Sequence, residues 1–187
     1  NEYCKKQNTK NDPDNICTHC YSWTMLKTFR KNMAPALERN SILLNSKILH
    51  PDALPVINQA FFRFNSHGEL ALDKKKATIN LINYINIAIK NPHCNFALWT
   101  KRFDIIKPYF DKNKKPKNFI LVYSNPKINH IFKKPPKHFD RTFNNVYEDI
   151  EVDKQNCTGQ KCKDCLLCYK LNTTDTIVEK VKSYGKK

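Results

Sequence analysis

Residues 56–69 read VINQAFFRFNSHGE. The stretch is dense in β-branched and aromatic residues up to Asn65 and then breaks into Ser66-His67-Gly68-Glu69. It reads as a buried strand from Val56 to near Asn65, with a turn at its carboxyl end. In open parallel sheets and in barrels, ligands sit at the carboxyl ends of strands. Gly68 is one of three glycines in the chain, and a glycine there lets backbone approach a ligand closely. Glu69 can accept hydrogen bonds from a ligand amine and is the candidate catalytic group, while Arg63 and Lys101 add charge to the same rim. The plainer reading of the same residues is a strand-end turn with a solvated glutamate.

Outward from this strand, the pattern alternates. Asp73 is placed to cap a helix running through Ile79, Leu81, Ile82, Ile85 and Ile89, which Asn91-Pro92 ends. CNFALWT from Cys94 is a second strand, Arg102 to Phe110 a short helix, 111–117 a Lys- and Pro-rich loop, and NFILVYS from Asn118 a third strand. Strand, helix, strand, helix, strand predicts right-handed crossovers and a parallel sheet, an α/β fold. Upstream, residues 1–20 read as a loop. From Tyr21 to about Asn45 the apolar spacing is helical, with Pro35 breaking or kinking it. After Ser124 the chain is expected to be loop-like, with a last short helix over 174–183. Residues 1–125 form the expected α/β core; 126–187 are a connection and a cysteine cluster packed on the same domain.

Eight cysteines stand among 187 residues. Cys4, Cys17 and Cys20 are spaced C-x12-C-x2-C; Cys157, Cys162, Cys165 and Cys168 are spaced C-x4-C-x2-C-x2-C. A C-x2-C pair aims two thiolates at one metal from one tight turn. Zinc takes four ligands as a tetrahedron, and iron–sulfur clusters take thiolates in closely spaced runs. The crowded C-terminal spacing favours iron–sulfur over zinc, and the set is complete by itself. The N-terminal set has three thiols, which leaves one metal position open, as a catalytic centre needs. His19 or Cys94 completing a structural zinc site is the alternative there, as is one zinc site pooling Cys17 and Cys20 with two C-terminal cysteines. Cys94 opens an expected buried strand and reads as a packed thiol.

The 33 Lys and Arg against 17 acids give a formal charge of +16. Such a field attracts phosphate backbones and acidic surfaces. Tyr109, Phe110, Phe119, Phe132 and Phe139 lie among lysines, where they either stack on bases or pack in the core. No stretch is apolar enough to span a bilayer and no signal peptide is visible, so a cytosolic, reducing setting in the host cell is expected. Three scattered glycines cannot build a phosphate loop; there is no His-Glu-x-x-His pattern, and the zinc-deaminase pattern lacks its second cysteine after Pro92.

A three-cysteine loop, a helix, and a strand ending in Gly-Glu together resemble radical S-adenosylmethionine enzymes. The resemblance implies a partial β/α barrel, half of the usual one. It also implies an iron–sulfur cluster on Cys4, Cys17 and Cys20, with S-adenosylmethionine held at Gly68 and Glu69. The first cysteine gap, twelve residues instead of three, and His67 in place of a second glycine depart from that pattern. The stretches ICTHCYS, ALERNSILL, FFRFNSHGE, FALWTKR, FILVYSN and CKDCLLCYK, in this order over nearly the whole chain, resemble a phage family known as gene product eighty-eight. That resemblance implies a phage or mobile-element origin and a metal-bearing fold, but no reaction. Two functions are expected. The first is a radical-S-adenosylmethionine-like enzyme acting on nucleotides or nucleic acid. The second is a non-catalytic, metal-stabilised basic protein that binds nucleic acid or obstructs a host nucleic-acid-guided defence complex.

Overall fold

The computed structural model describes residues 1–147, 155–171 and 173–181. Its centre is a five-stranded sheet in the order β1-β2-β3-β4-β5, parallel at every pairing. The strands are β1 (Phe61–Phe64), β2 (Asn95–Thr100), β3 (Phe119–Ser124), β4 (Arg141–Val146) and β5 (Thr176–Lys180). The helices are α1 (Glu2–Asn8), α2 (Tyr21–Lys27), α3 (Ala34–Ser46), α4 (Lys74–Lys90), α5 (Phe103–Phe110) and α6 (Cys162–Cys165). Strands buried on both faces lose the polar alternation of a half-exposed sheet, which is why β2 and β3 read as continuous apolar runs.

One face packs on α4 and α5. Phe64, Phe96, Leu98, Phe119 and Leu121 meet Leu81, Tyr84, Ile85, Ile105, Ile106 and Phe110 there. Phe64 is the hub, stacked 4.1 Å from Tyr84 and 5.2 Å from Phe96 between ring centroids. Asp73 caps α4, its side chain accepting from Lys76 N, and Cys94 lies fully buried in this core, as the sequence predicts. Phe110, Phe119 and Phe139 are buried here too, so they are core and not base-stacking groups. The other face carries Ala97, Trp99, Ile120 and Val122 and is covered by Leu166, Cys168 and Tyr169 of the C-terminal cysteine segment.

Four expectations are corrected. Residues 2–8 are helical, because Asn1 Oδ1 accepts from Cys4 N and caps the turn. The strand begun at Val56 is confined to Phe61–Phe64: Val56 is 68% exposed, and Ile57 N donates to the Asn91 side chain instead of a ladder. Two helices stand where a kink or two helices are expected, but the break falls after Lys27 and not at Pro35: the second helix resumes at Ala34 with Pro35 in its first turn, where a proline costs nothing. The segment after Ser124 supplies two strands. β4 hides its nature behind buried Thr142, Asn144 and Asn145, and β5 occupies 176–180 of the expected helix 174–183, whose residues 182 and 183 lie outside the described residues. No helix among the described residues is long and apolar enough to cross a membrane.

Candidate active site

The carboxyl ends of β1, β2 and β3 are tied together by short polar links. Past β1 the chain turns through Asn65, at φ 53°, whose side chain accepts from the Tyr84 hydroxyl at 2.8 Å. Asparagine tolerates this left-handed backbone where most residues are strained. Glu69 is buried, and three donors hold its carboxylate. Oε1 accepts from Leu70 N at 2.8 Å and Thr100 Oγ1 at 2.5 Å, and Oε2 accepts from Lys101 N at 2.7 Å. Burial pushes its pKa up, against the pull of Lys101 and these hydrogen bonds. Lys101 Nζ crosses to Ser124 Oγ at the end of β3, 2.9 Å away. Burial lowers the Lys101 pKa, but Cys17, Glu69, Cys4 and Cys20 outweigh it and leave the pKa raised.

The N-terminal loop is fastened over these strand ends. Asn1 Nδ2 donates to Glu69 O, Asn8 Nδ2 donates to Cys17 O, and Ile16 N donates to Pro126 O. Cys4 therefore rides on α1, Cys17 on the loop and Cys20 at the N-cap of α2. Burial pushes the Cys4 thiol up to about 12, with Glu69 and Cys20 adding, and burial raises Cys17 as well. His19 is engaged elsewhere, its Nε2 lying 3.0 Å from Pro13 O and 3.3 Å from the Tyr147 hydroxyl.

The C-terminal cysteines reach the same place from the opposite side. Arg141, buried on β4, donates to Leu167 O, Thr173 Oγ1 and Lys170 O and so pins the 167–173 turn against the sheet. Asn156 pairs with Val178 N and Thr176 O, which lays Cys157 beside Glu179, its Sγ 3.5 Å from Oε1. Burial drives the Cys168 thiol up to about 12, Arg63 opposing and Cys157 adding.

Between the two sets lies a cavity of about 290 Å³. Its wall includes Cys4, Cys17, Cys20, Cys157, Cys162 and Cys168, together with Arg63, Gly68, Glu69 and Lys101. The structure thus gathers six of the seven candidate cysteine ligands and all four candidate cofactor residues. Cys165 is not on the wall; Gln160 Nε2 donates to its sulfur at 3.4 Å. All eight cysteines are free of disulfides. Among the described residues, no group of three or more His, Cys, Asp or Glu side chains is drawn into a metal-holding arrangement. A Cβ built on Gly68 would meet no atom within 4 Å, so that backbone faces open space.

Trp99, Asn65 and His67 also line the cavity and were not singled out as ligand groups from the sequence. Strict alternation along β2 would have found Trp99, since residues 97, 99 and 101 share one face. His67 joins this end to α2 and the turn after it: Ser22 Oγ lies 2.7 Å from Nδ1, and Arg30 Nη1 lies 3.2 Å from Nε2. A guanidinium only donates, so Nε2 accepts and Nδ1–H donates to the serine.

A family model described as Gene product 88 matches residues 1–165. The chain belongs to the gene product 88 family. No curated protein and no solved structure matches it. The gene product 88 match runs from α1 to the last residue of α6, so it takes in the N-terminal thiols, Gly68, Glu69 and three of the four C-terminal cysteines. Cys168 and β5 lie beyond it.

Proposed function

We propose that this phage gene product 88 protein is a metal-cluster protein of radical S-adenosylmethionine type that acts on nucleotides or nucleic acid. One observation carries the reading: Cys4, Cys17 and Cys20 share a cavity wall with Gly68 and Glu69 at the carboxyl ends of parallel strands. The donor set suits the group, being three thiols beside a glycine whose face is open. Cys4, Cys17 and Cys20 would hold the cluster, which supplies an open iron position for S-adenosylmethionine and an electron to cleave it. The chain's own residues do the positioning. A carboxylate offers about four acceptor positions; three protein donors fill three at Glu69, and one remains on Oε2 for a ligand ammonium. Gly68 gives the ligand room, and Lys101 adds positive charge beside the thiols. Cys157, Cys162, Cys165 and Cys168 would hold a second centre, of iron–sulfur or zinc. The charge of +16 favours phosphate-bearing partners in the host cytoplasm.

A second reading is favoured by the three protein donors already on Glu69 and by thiols not drawn, among the described residues, into coordination geometry. In it the protein is a non-catalytic, metal-stabilised binder of nucleic acid or of a host complex that uses it. Anaerobic purification followed by iron, sulfide and zinc analysis separates the two, with Cys17→Ala/Cys20→Ala and Cys165→Ala/Cys168→Ala variants. The enzyme reading expects brown protein, iron lost selectively in each variant, and reductive cleavage of S-adenosylmethionine that only the N-terminal variant abolishes. Zinc at both sites without cleavage leaves the binder. Protein that takes up neither metal ends both readings.

A further inference from the structure

We propose that the cavity has a second recognition site, for the oxyanion of a small-molecule ligand, built by Arg63, Trp99 and Asn65. Register pairs Arg63 with Ala97, so its side chain rises on the face that carries Trp99. The guanidinium carbon lies 3.5 Å from the Trp99 ring centroid. This stacking orients the guanidinium plane but satisfies none of its N–H groups. The Arg63 guanidinium donates to no described residue and has no carboxylate partner among them. Its Nε is shielded from water without an acceptor, and so are Trp99 Nε1 and Asn65 Nδ2. All three residues lie on the cavity wall.

The two buried arginines are treated differently. Arg102 is paired with Asp104 at 2.8 Å and donates to Ala71 O, and Arg141 binds three oxygens of the C-terminal turn. Arg63 alone of these three keeps its forked donor face unmatched among the described residues. A fork of this kind fits a carboxylate or phosphate through two parallel hydrogen bonds. Trp99 and Asn65 supply further donors and no positive charge, which suits an acceptor-rich group that carries its own negative charge.

This site is distinct from the Glu69 end. Lys101 is tied to Glu69 through its backbone N–H and to Ser124 through Nζ, whereas Arg63 stacks on Trp99 and shares no hydrogen bond with either. The cavity therefore has two poles, one with an acceptor for an ammonium and one with donors for an oxyanion. Its volume of about 290 Å³ suits a small molecule and not a nucleic-acid duplex. The inference goes beyond the metal reading, because it stands on the donors whatever the thiols hold.

The test uses the full chain carrying Trp23→Phe, which leaves Trp99 as its single tryptophan. Emission is titrated with inorganic phosphate, with acetate, and with chloride at matched ionic strength, and metal content is measured in each preparation. Phosphate or acetate should give a saturable change that chloride does not. The tighter of the two identifies the ligand group as phosphate or carboxylate. Arg63→Lys, which keeps the charge and loses the fork, should weaken binding about tenfold or more. Asn65→Asp keeps the turn and the acceptor for Tyr84 but sets a carboxylate against the oxyanion; it should abolish binding with metal content unchanged. Arg63→Gln should also abolish it, and the other two variants decide the matter if that protein fails to fold. No saturable response to either anion, or unchanged affinity in Arg63→Lys and Asn65→Asp, overturns the proposal.

Discussion

Replacing Glu69 with glutamine separates anchoring from ligand binding, because the two side chains have the same shape and differ in what they can accept. The carboxylate takes three donors: Leu70 N and Thr100 Oγ1 on Oε1, and Lys101 N on Oε2. Hydrogen bonds to a charged group contribute about 1.5–3 kcal/mol each, against about 1 kcal/mol for neutral ones. Glutamine has one acceptor oxygen. If it faces Leu70 N and Thr100, two bonds weaken by about 1 kcal/mol each, and the amide nitrogen meets Lys101 N donor to donor, costing about 1–3 kcal/mol. Relief of burying a charge offsets part of this, since burial already raises the Glu69 pKa. The expected net loss is about 2–3 kcal/mol. With a urea slope of about 2 kcal/mol per M, the unfolding midpoint falls by about 1 M at constant slope. Equilibrium urea denaturation followed by circular dichroism measures it. A midpoint within ~0.25 M of wild type would refute the anchoring role. The consequence for function is direct: loss of activity in Glu69→Gln reports on the ligand acceptor only where the variant is shown to be folded.

Two further outcomes follow from the same geometry. His67 is held neutral: burial lowers its pKa first, and Arg30 and Arg63 lower it further. Folding therefore favours the unprotonated ring. Its contribution to stability is whole above the unfolded value of 6.5 and is lost as the pH falls through the lower folded value. An NMR titration should place the His67 midpoint below 6.5, with Arg30→Ala moving it up; a midpoint at or above 6.5 in the wild type contradicts the arrangement. Phe64→Ala removes the ring stacked between Tyr84 and Phe96 and should cost about 3–5 kcal/mol in the same urea experiment, while a loss under ~1 kcal/mol would show that the site collapses freely.

Legibility followed the chemistry of burial. β2, β3, α4 and α5 were readable because apolar periodicity and the Asp73 cap act locally. β4 was not, since RTFNNV buries polar groups that pair through tertiary contacts. Asn144 Oδ1 accepts from Asn125 Nδ2 and Phe132 N, and no local pattern announces those partners. β5 reads as a helix in sequence because a short apolar run has no period of its own to decide between the two. α1 was hidden by its polar composition, and one cap plus its place over Glu69 decided it. At the site, the thiols and the Gly-Glu turn were recognisable from residue type. Their gathering in one cavity was not, because it depends on Arg141, Asn156 and the docking of Ile16 on Pro126.

The charges around the cavity bear on why thiols from both ends of the chain meet there. Burial pushes the Cys4, Cys17 and Cys168 thiols up, Cys4 and Cys168 each to about 12, so without a metal these three favour the neutral form. Three cations nevertheless stand near them: Lys101 by the N-terminal set, and Arg63 and Arg141 by Cys168. Arg141 bonds only neutral oxygens, and desolvation is the first cause lowering its pKa. A buried cation without an anion is costly, and a buried thiolate without a cation is costly too. Each cost is removed by the other once the thiols ionise, and metal binding is what ionises thiols at neutral pH, releasing their protons. Arg141, whose hydrogen bonds all go to neutral oxygens, would lack a bonded anion beside permanently neutral thiols, whereas Lys101 already has Glu69. On the proposed metal reading, a Cys168 thiolate would supply that anion, a consideration independent of cysteine spacing.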